Sequence, residues 1–435
     1  MVQLLFHDPL CAFSENYLKQ INACQEIHMR DVAIIGVGMT RFGKFMEKGI
    51  KDLVRESVQN AIMDAGISIS DIEAAYVGSA VPGIMTGQEM IKAQVTLSAM
   101  GIERIPMVNV ENACASSSTA LHLGWLAVAA GLYDCVLVAG FEKLYDKDKM
   151  KSFMALGTAV DVEVIARFLE DLQKNPDGGN GIFGQGSGKN RSIFMDMYAY
   201  YTRQYMETYG LTQAHFAKIA VKSHKNGANN PHAQYQKEVT LEEVLDSGEV
   251  AYPLTRMMCS PIGDGAGAAI VCSKEMAKRF TQQPIWIAAS VLGSGQLGDD
   301  MSDTLTRRLG PDAFERAGIG PDEIDVIEVH DATSPSEIIT LIELNMCPGE
   351  EAGHWIDSGY LDIDGRLPSN PSGGLASKGH PIGATGLGQI HEIVQQLRGG
   401  AGKRQVADPK VGMTHNGGGI LGVDAAAMAI HIFKK

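Results

Sequence analysis

The chain has 435 residues, 45% hydrophobic and 20% charged, a size for two or three structural units and an ordinary globular composition. A formal net charge of −14 argues against a general nucleic-acid binder, whose phosphate affinity would come from Lys and Arg, but leaves room for a small anionic ligand on a local basic patch. Apolar runs stop short of the roughly 18 residues of a membrane helix, and MVQLLFHDPLCAF lacks the basic n-region of a secretory signal, so a cytoplasmic location is expected.

Residues 1–28 look unlike the rest and are set apart as an N-terminal extension of unknown role. From Met29 the text becomes MRDVAIIGVGMTRFG, and VAIIGVG reads as a first strand. A helical pattern follows near 51–65, Tyr76-Val77-Gly78 ends a second strand, and Asp134 to Ala139 forms a third. This is the βαβ rhythm of a layered, mostly parallel sheet. The segment DAGISISDIEAAYVG (64–78) is echoed by RAGIGPDEIDVIEVH (316–330) at a constant offset of 252, and VAIIGVGMTRFG has a weaker counterpart in IWIAASVLGSGQLG (285–298). Two similar halves are expected, 29–283 and 284–435. The first is about a hundred residues longer, and the surplus near 145–250 reads as an insertion over the active site.

Two glycine motifs fail. GVGMTR follows a strand, but Arg41 stands where a dinucleotide fingerprint needs its third glycine. GIFGQGSGKN carries the GK of a phosphate loop, yet Phe183 replaces the first glycine and Asn190 the magnesium-binding hydroxyl. The seven cysteines (Cys11, Cys24, Cys114, Cys135, Cys259, Cys272 and Cys347) form no CxxC pair. Reduced thiols are expected, and no metal in this chain.

One thiol has a distinctive context. In ENACASSSTALHLG, Cys114 follows the strand-like IPMVNVENA and precedes the capping types Ser116 to Thr119 and a long apolar run. A helix starting there would aim free N–H groups and partial positive charge at the sulfur, lowering its pKa and supplying thiolate near neutral pH. Taken alone, a buried structural cysteine is the better account. Three histidines share the context. His330 ends the strand DVIEVH; His380 lies in SKGHPIGATGLG before a helix closed by Gly399; His415 lies in THNGGGILG after the strand VGMT. Each sits at a strand-to-loop junction among small residues, where α/β folds place ligand contacts.

In this order and at these separations, ENACASSSTALH, HDAT, GHPIGATG and HNGGG resemble the thiolase family over about Met29 to Lys435. Pro381 and the HNGGG ending distinguish the chain from ketoacyl synthase-like condensing enzymes, and HDAT with HNGGG resembles the sterol-carrier and archaeal-type branch. The resemblance implies an α/β, five-layered αβαβα fold from two βαβαβ halves with an inserted loop domain. It implies an acyltransferase with Cys114 as nucleophile and His380 as its base. The N–H groups of Cys114 and Gly417 would form one oxyanion hole, and His330 with His380 would hold the other substrate oxygen. Gly418 and Ser260 would be substrate contacts. Relatives carry a second catalytic cysteine in the terminal glycine motif or in HDCF; here those positions are His415 and Ala332, so His415 is expected as the proton shuttle, titrating near neutral pH. Coenzyme A would be substrate and product, with Lys222, Lys225 and Arg256 as guesses for its phosphates. A homodimer core and a separate small OB-fold zinc-ribbon partner are implied. Twenty-one methionines suit an adaptable apolar or aromatic pocket. Thiolysis of a 3-oxoacyl-CoA such as 2-benzoylsuccinyl-CoA is expected. The alternatives are Claisen condensation as an acetyl-CoA C-acetyltransferase, a retro-aldol lyase, or a non-catalytic acyl-CoA or lipid binder.

Overall fold

The computed structural model describes residues 29–164, 187, 191–279, 283–298 and 300–435. The extension 1–28, with Cys11 and Cys24, and nearly all of GIFGQGSGKN lie outside the described residues.

Nine strands form the main sheet: β1 (Val32–Met39), β2 (Ala74–Gly78), β3 (Met107–Val110), β4 (Cys135–Glu142), β5 (Gly265–Ser273), β6 (Ile285–Ser294), β7 (Val326–Glu328), β8 (Val411–Leu421) and β9 (Asp424–Lys434). Their order is β3-β2-β4-β5-β1-β6-β9-β8-β7. From the antiparallel contact of β1 with β6, the order outward is β1-β5-β4-β2 on one side and β6-β9-β8-β7 on the other. The chain echo appears at full resolution. Helices end at Ala65 and Ala317, Gly66 and Gly318 close them at φ 67 and 64, and 3-10 turns at Ile69–Asp71 and Pro321–Glu323 lead into β2 and β7.

The expected mostly parallel sheet is corrected to a mixed one. Only β2–β3, β2–β4 and β8–β7 run parallel; β5 and β9 run against both their neighbours. A tight turn at Gly422 joins β8 to β9, which only an antiparallel pair permits. A short apolar run announces a buried strand but not its direction.

Helix α1 (Ile50–Ala65) covers one face of the first half through Leu53, Val54 and Val58. The equivalent helix at Leu305–Ala317 covers the second through Leu305, Leu309 and Phe314. Between the sheet halves lie α2 (Ser116–Ala129) and the helix at Thr385–Arg398, joined by Leu121, Val128, Ile390 and Ile393 in one core cluster. Helix, sheet, helix pair, sheet and helix make five layers. α2 is apolar nearly all round; most of it is buried, while Leu126 is exposed and His122, Leu123 and Trp125 are half-buried. Gly124 permits the close approach, because a Cβ there would lie 2.8 Å from Val138 Cγ2. From the surplus near 145–250, the helix at Ile193–Tyr209 packs Tyr205 onto the second half's core. No helix among the described residues is long and apolar enough to cross a membrane.

Candidate active site

β3 delivers the chain to Asn112, and a 3-10 turn at Ala113–Ala115 places Cys114 immediately before α2. Ala113 sits at φ 47, a left-handed conformation that stores about 1–3 kcal/mol in a residue with a side chain. Ser116 stabilises this turn: its Oγ accepts from Asn112 N (3.0 Å) and donates to Ala113 O (2.7 Å). It does not cap α2, whose N-cap position is Ala115 with no side-chain bond.

The expected low thiol pKa is also corrected. Burial pushes the Cys114 thiol up to about 12; the Gly419 N–H works against this, and Glu142 and Glu111 add to it. Desolvation of the thiolate outweighs the helix end. Cys114 therefore rests as a thiol and needs a base.

His380 is built for that task. Its Nδ1 lies 2.7 Å from Thr385 Oγ1, and the same hydroxyl donates to Pro381 O at 3.1 Å. With its one proton engaged, the hydroxyl accepts from Nδ1–H, which leaves Nε2 with a free lone pair. Burial, helped by His330 and Lys378, holds the imidazole well below its ordinary pKa and so neutral. His330 packs edge-on against it at 5.1 Å between centroids. Burial pushes His330 down to about 4, and its Nε2 has no partner among the described residues. One donor atom each from Cys114, His330 and His380 lie within 4.8 Å of one another. Sulfur and imidazole also suit zinc, and among the described residues this is the one such group so closely gathered.

His415 Nε2 lies 3.2 Å from Thr306 Oγ1, and its Nδ1 has no partner among the described residues. Burial, with a contribution from His330, pushes it down to about 3. The expectation that it titrates near neutral pH is thus overturned: a charged imidazolium loses too much hydration here.

All the site candidates, Cys114, His330, His380, His415, Gly417, Gly418 and Ser260, line one cavity of about 430 Å³. A Cβ on Gly417 would lie 3.9 Å from His330 Nδ1, and one on Gly418 would lie 2.2 Å from Asn112 O. The glycine run is therefore pressed against the nucleophile turn. The phosphate guesses fare unevenly. Lys222 is buried, ion-paired with Glu337 and donating to Ser369 O at 2.6 Å, so it is withdrawn. Lys225 is exposed away from the cavity, whereas Arg256 is exposed and lines it.

Several residues escaped the sequence. Gly419 supplies the N–H at the sulfur, and Thr385 orients the base. Cys259 and the rings Phe153, Phe194, Tyr198 and Tyr201 line the cavity. Burial, with Cys114 and Asp331 nearby, pushes the Tyr198 phenol up, so it remains protonated. Asp331 Oδ1 accepts from Leu375 N (2.7 Å), tying the His330 segment to the one leading to His380. Gly419 and Thr385 lie inside the HNGGG and GHPIGATG motifs, where they could have been flagged; Cys259 and the rings are far from those motifs in sequence.

The chain matches the model described as "Thiolase, N-terminal domain" over residues 32–275 and "Thiolase C-terminal domain-like" over 295–432. It is 40% identical over 412 residues to an acetyl-CoA acetyltransferase of Methanothermobacter thermautotrophicus, covering 94% of this chain and 100% of the relative. It is 38% identical over 402 residues to sterol carrier protein 2 of Gallus gallus, covering 90% of this chain and 70% of that one. Among solved structures it resembles the Ltp2-ChsH2(DUF35) aldolase at 25% identity, with a TM-score of 0.74 and coverage of 94% and 99%. A human mitochondrial 3-ketoacyl-CoA thiolase in complex with CoA, at 16% identity, a TM-score of 0.65 and coverage of 94% and 99%, shares the fold.

Proposed function

Because this chain belongs to the thiolase family, we propose that it cleaves a 3-oxoacyl-CoA by thiolysis through an acyl thioester on Cys114. It is an acyltransferase, and coenzyme A is its co-substrate. The observation that carries this reading is the gathering of Cys114, His330 and His380 within 4.8 Å, with the base held in one tautomer by Thr385.

His380 Nε2 takes the Cys114 proton as the sulfur attacks the C3 carbonyl. The N–H groups of Cys114 and Gly417 hold the developing oxyanion. The C2–C3 bond then breaks, leaving the acyl group on sulfur and the electron pair on C2 of the departing acyl-CoA. His330 and His380 hold that fragment's thioester oxygen. The proton from Cys114 is available for C2, and His415, neutral at rest, relays it. Thiolysis moves the acyl group from Cys114 to the CoA sulfur, whose proton passes back through His380 to the thiol. Run backwards, the same steps are a Claisen condensation.

For the substrate we propose an aromatic 3-oxoacyl-CoA of the 2-benzoylsuccinyl-CoA kind, yielding benzoyl-CoA and succinyl-CoA. The ring-lined cavity of about 430 Å³ and the exposed Arg256 on its wall support this, since an acetyl group needs neither. Likeness to the Ltp2-ChsH2(DUF35) aldolase favours one second reading, a retro-aldol lyase, and Cys114 with its base argues against it. That structure's name joins a DUF35 chain to it, which supports a small separate partner here, expected as an OB-fold zinc ribbon. A homodimer core is supported by the edge position of β3, with Val108 exposed, and by exposed Met90 and Ile91. We also propose the division into halves at 29–283 and 284–435. Intact-mass measurement after brief exposure to acetyl-, benzoyl- and 2-benzoylsuccinyl-CoA tests the reading; an acyl adduct on Cys114 is expected, best from the aromatic ester. Turnover without any adduct would favour the lyase.

A further inference from the structure

We propose that Glu142 is a positioning residue for acyl transfer: its carboxylate ties the turn that carries His380 to the wall on which Cys114 packs, and so sets how the base meets the thiol. This rests on the reading of Cys114 and His380 as nucleophile and base.

Glu142 ends β4 and is fully buried. Its Oε2 accepts from Ala80 N and Gly383 N, both at 3.0 Å, and its Oε1 accepts from Val81 N at 3.2 Å. The three donors come from two separate walls. Ala80 and Val81 follow β2 and share an apolar cluster with Cys114, Leu144 and Ile382. Gly383 lies three residues beyond His380 and two before Thr385, the residue that orients the imidazole. The turn is seated with no slack: a Cβ on Gly383 would lie 2.6 Å from Phe141 O and 2.8 Å from Ser79 Cα. One carboxylate therefore spans the approach between nucleophile and base without touching substrate.

The charged and titratable groups facing Glu142 are Lys92, on the helix at Lys92–Ser98, and the Cys114 thiol, whose ionisation the carboxylate opposes. Burial pushes Glu142 up to about 7, against the three N–H groups and Lys92. Its charge, and with it the strength of the clamp, is therefore sensitive to pH near neutrality.

Glu142→Gln keeps the shape but turns an N–H donor towards backbone N–H groups that need an acceptor. Single-turnover loading of Cys114 should slow by about tenfold to a hundredfold, the size expected for misplaced reacting groups. The acyl-CoA Kd should change by less than about threefold, because the clamp does not line the cavity. In the unaltered protein, loading and iodoacetamide alkylation of Cys114 should each show an inflection near pH 7 that Glu142→Gln removes. Alkylation needs no acyl-CoA, so it separates failure of this proposal from failure of the thiolase reading, in which no acyl-CoA would load even the unaltered protein. Loading by Glu142→Gln at the unaltered rate would overturn the proposal. So would an alkylation profile of the unaltered protein without an inflection near pH 7, whatever the variant's folding.

Discussion

Thr385→Val removes a hydroxyl while keeping the shape of a fully buried side chain. Two hydrogen bonds go with it, Nδ1 of His380 at 2.7 Å and Pro381 O at 3.1 Å. In the altered protein the Nδ1–H is left without an acceptor, and an unsatisfied buried donor costs about 1–3 kcal/mol. Moving the proton to Nε2 relieves that cost, but Nε2 then presents a hydrogen to Cys114 instead of a lone pair. Recovering the productive tautomer restores the penalty, so acyl loading should slow by about 5- to 150-fold at about 1.4 kcal/mol per factor of ten. The loss should fall on kcat and on kcat/KM alike, because the bond acts on the reacting tautomer and not on substrate binding. Thr385→Ser keeps the hydroxyl and should recover most of the rate. Rapid-quench mass spectrometry of acyl-Cys114 formation reads all three proteins. Loading by Thr385→Val within about twofold of the unaltered rate would refute the tautomer assignment.

Other outcomes follow from the same site. Cys114→Ala should form no acyl adduct while keeping its circular dichroism and cooperative melt; continued thiolysis by that variant would remove the nucleophile assignment. His415→Ala should slow exchange of the C2 hydrogens of an acyl-CoA in D₂O by about a hundredfold while acyl loading changes less than about threefold; equal loss in both would make His415 positional. His330 and His415, pushed down to about 4 and 3 by burial, stay neutral in the fold but protonate near 6.5 once unfolded. The unfolded chain then binds more protons as pH falls from about 6.5 towards 4, so both residues subtract stability in that window. The urea midpoint of His330→Asn should accordingly fall less between pH 7 and pH 5 than that of the unaltered protein, and an equal fall would contradict the assigned burial effect.

What could be read from the chain was what local pattern encodes. The echo at 64–78 and 316–330 marks the same helix end, left-handed glycine, turn and strand in both halves. The Cys and three His motifs do meet at one cavity, although not all at strand ends as expected: His415 lies within β8, and His380 follows the short helix at Gly374–Lys378. What stayed hidden depends on distant partners. Strand direction in β5 and β9 is set by connections, not by apolar composition. Lys222 looked available for a phosphate because its carboxylate, Glu337, lies far along the chain. The Cys114 pKa was misjudged for a related reason: the helix end is visible in the sequence, whereas the burial that outweighs it is a property of the packed core. Thr385 lies inside GHPIGATG, but nothing in the motif says that its hydroxyl meets the imidazole, and Glu142 belongs to no motif that announces chemistry and reaches Gly383 across 241 positions.

In this mechanism Cys114 carries an acyl group during turnover. The most direct test is intact-protein mass spectrometry after seconds of incubation with the acyl-CoA panel, with and without any co-purifying small chain, followed by peptide mapping. A mass gain equal to the acyl group is expected, located on Cys114, discharged by free CoA and absent from Cys114→Ala. Cleavage of the substrate with Cys114 unmodified at every time point would contradict it.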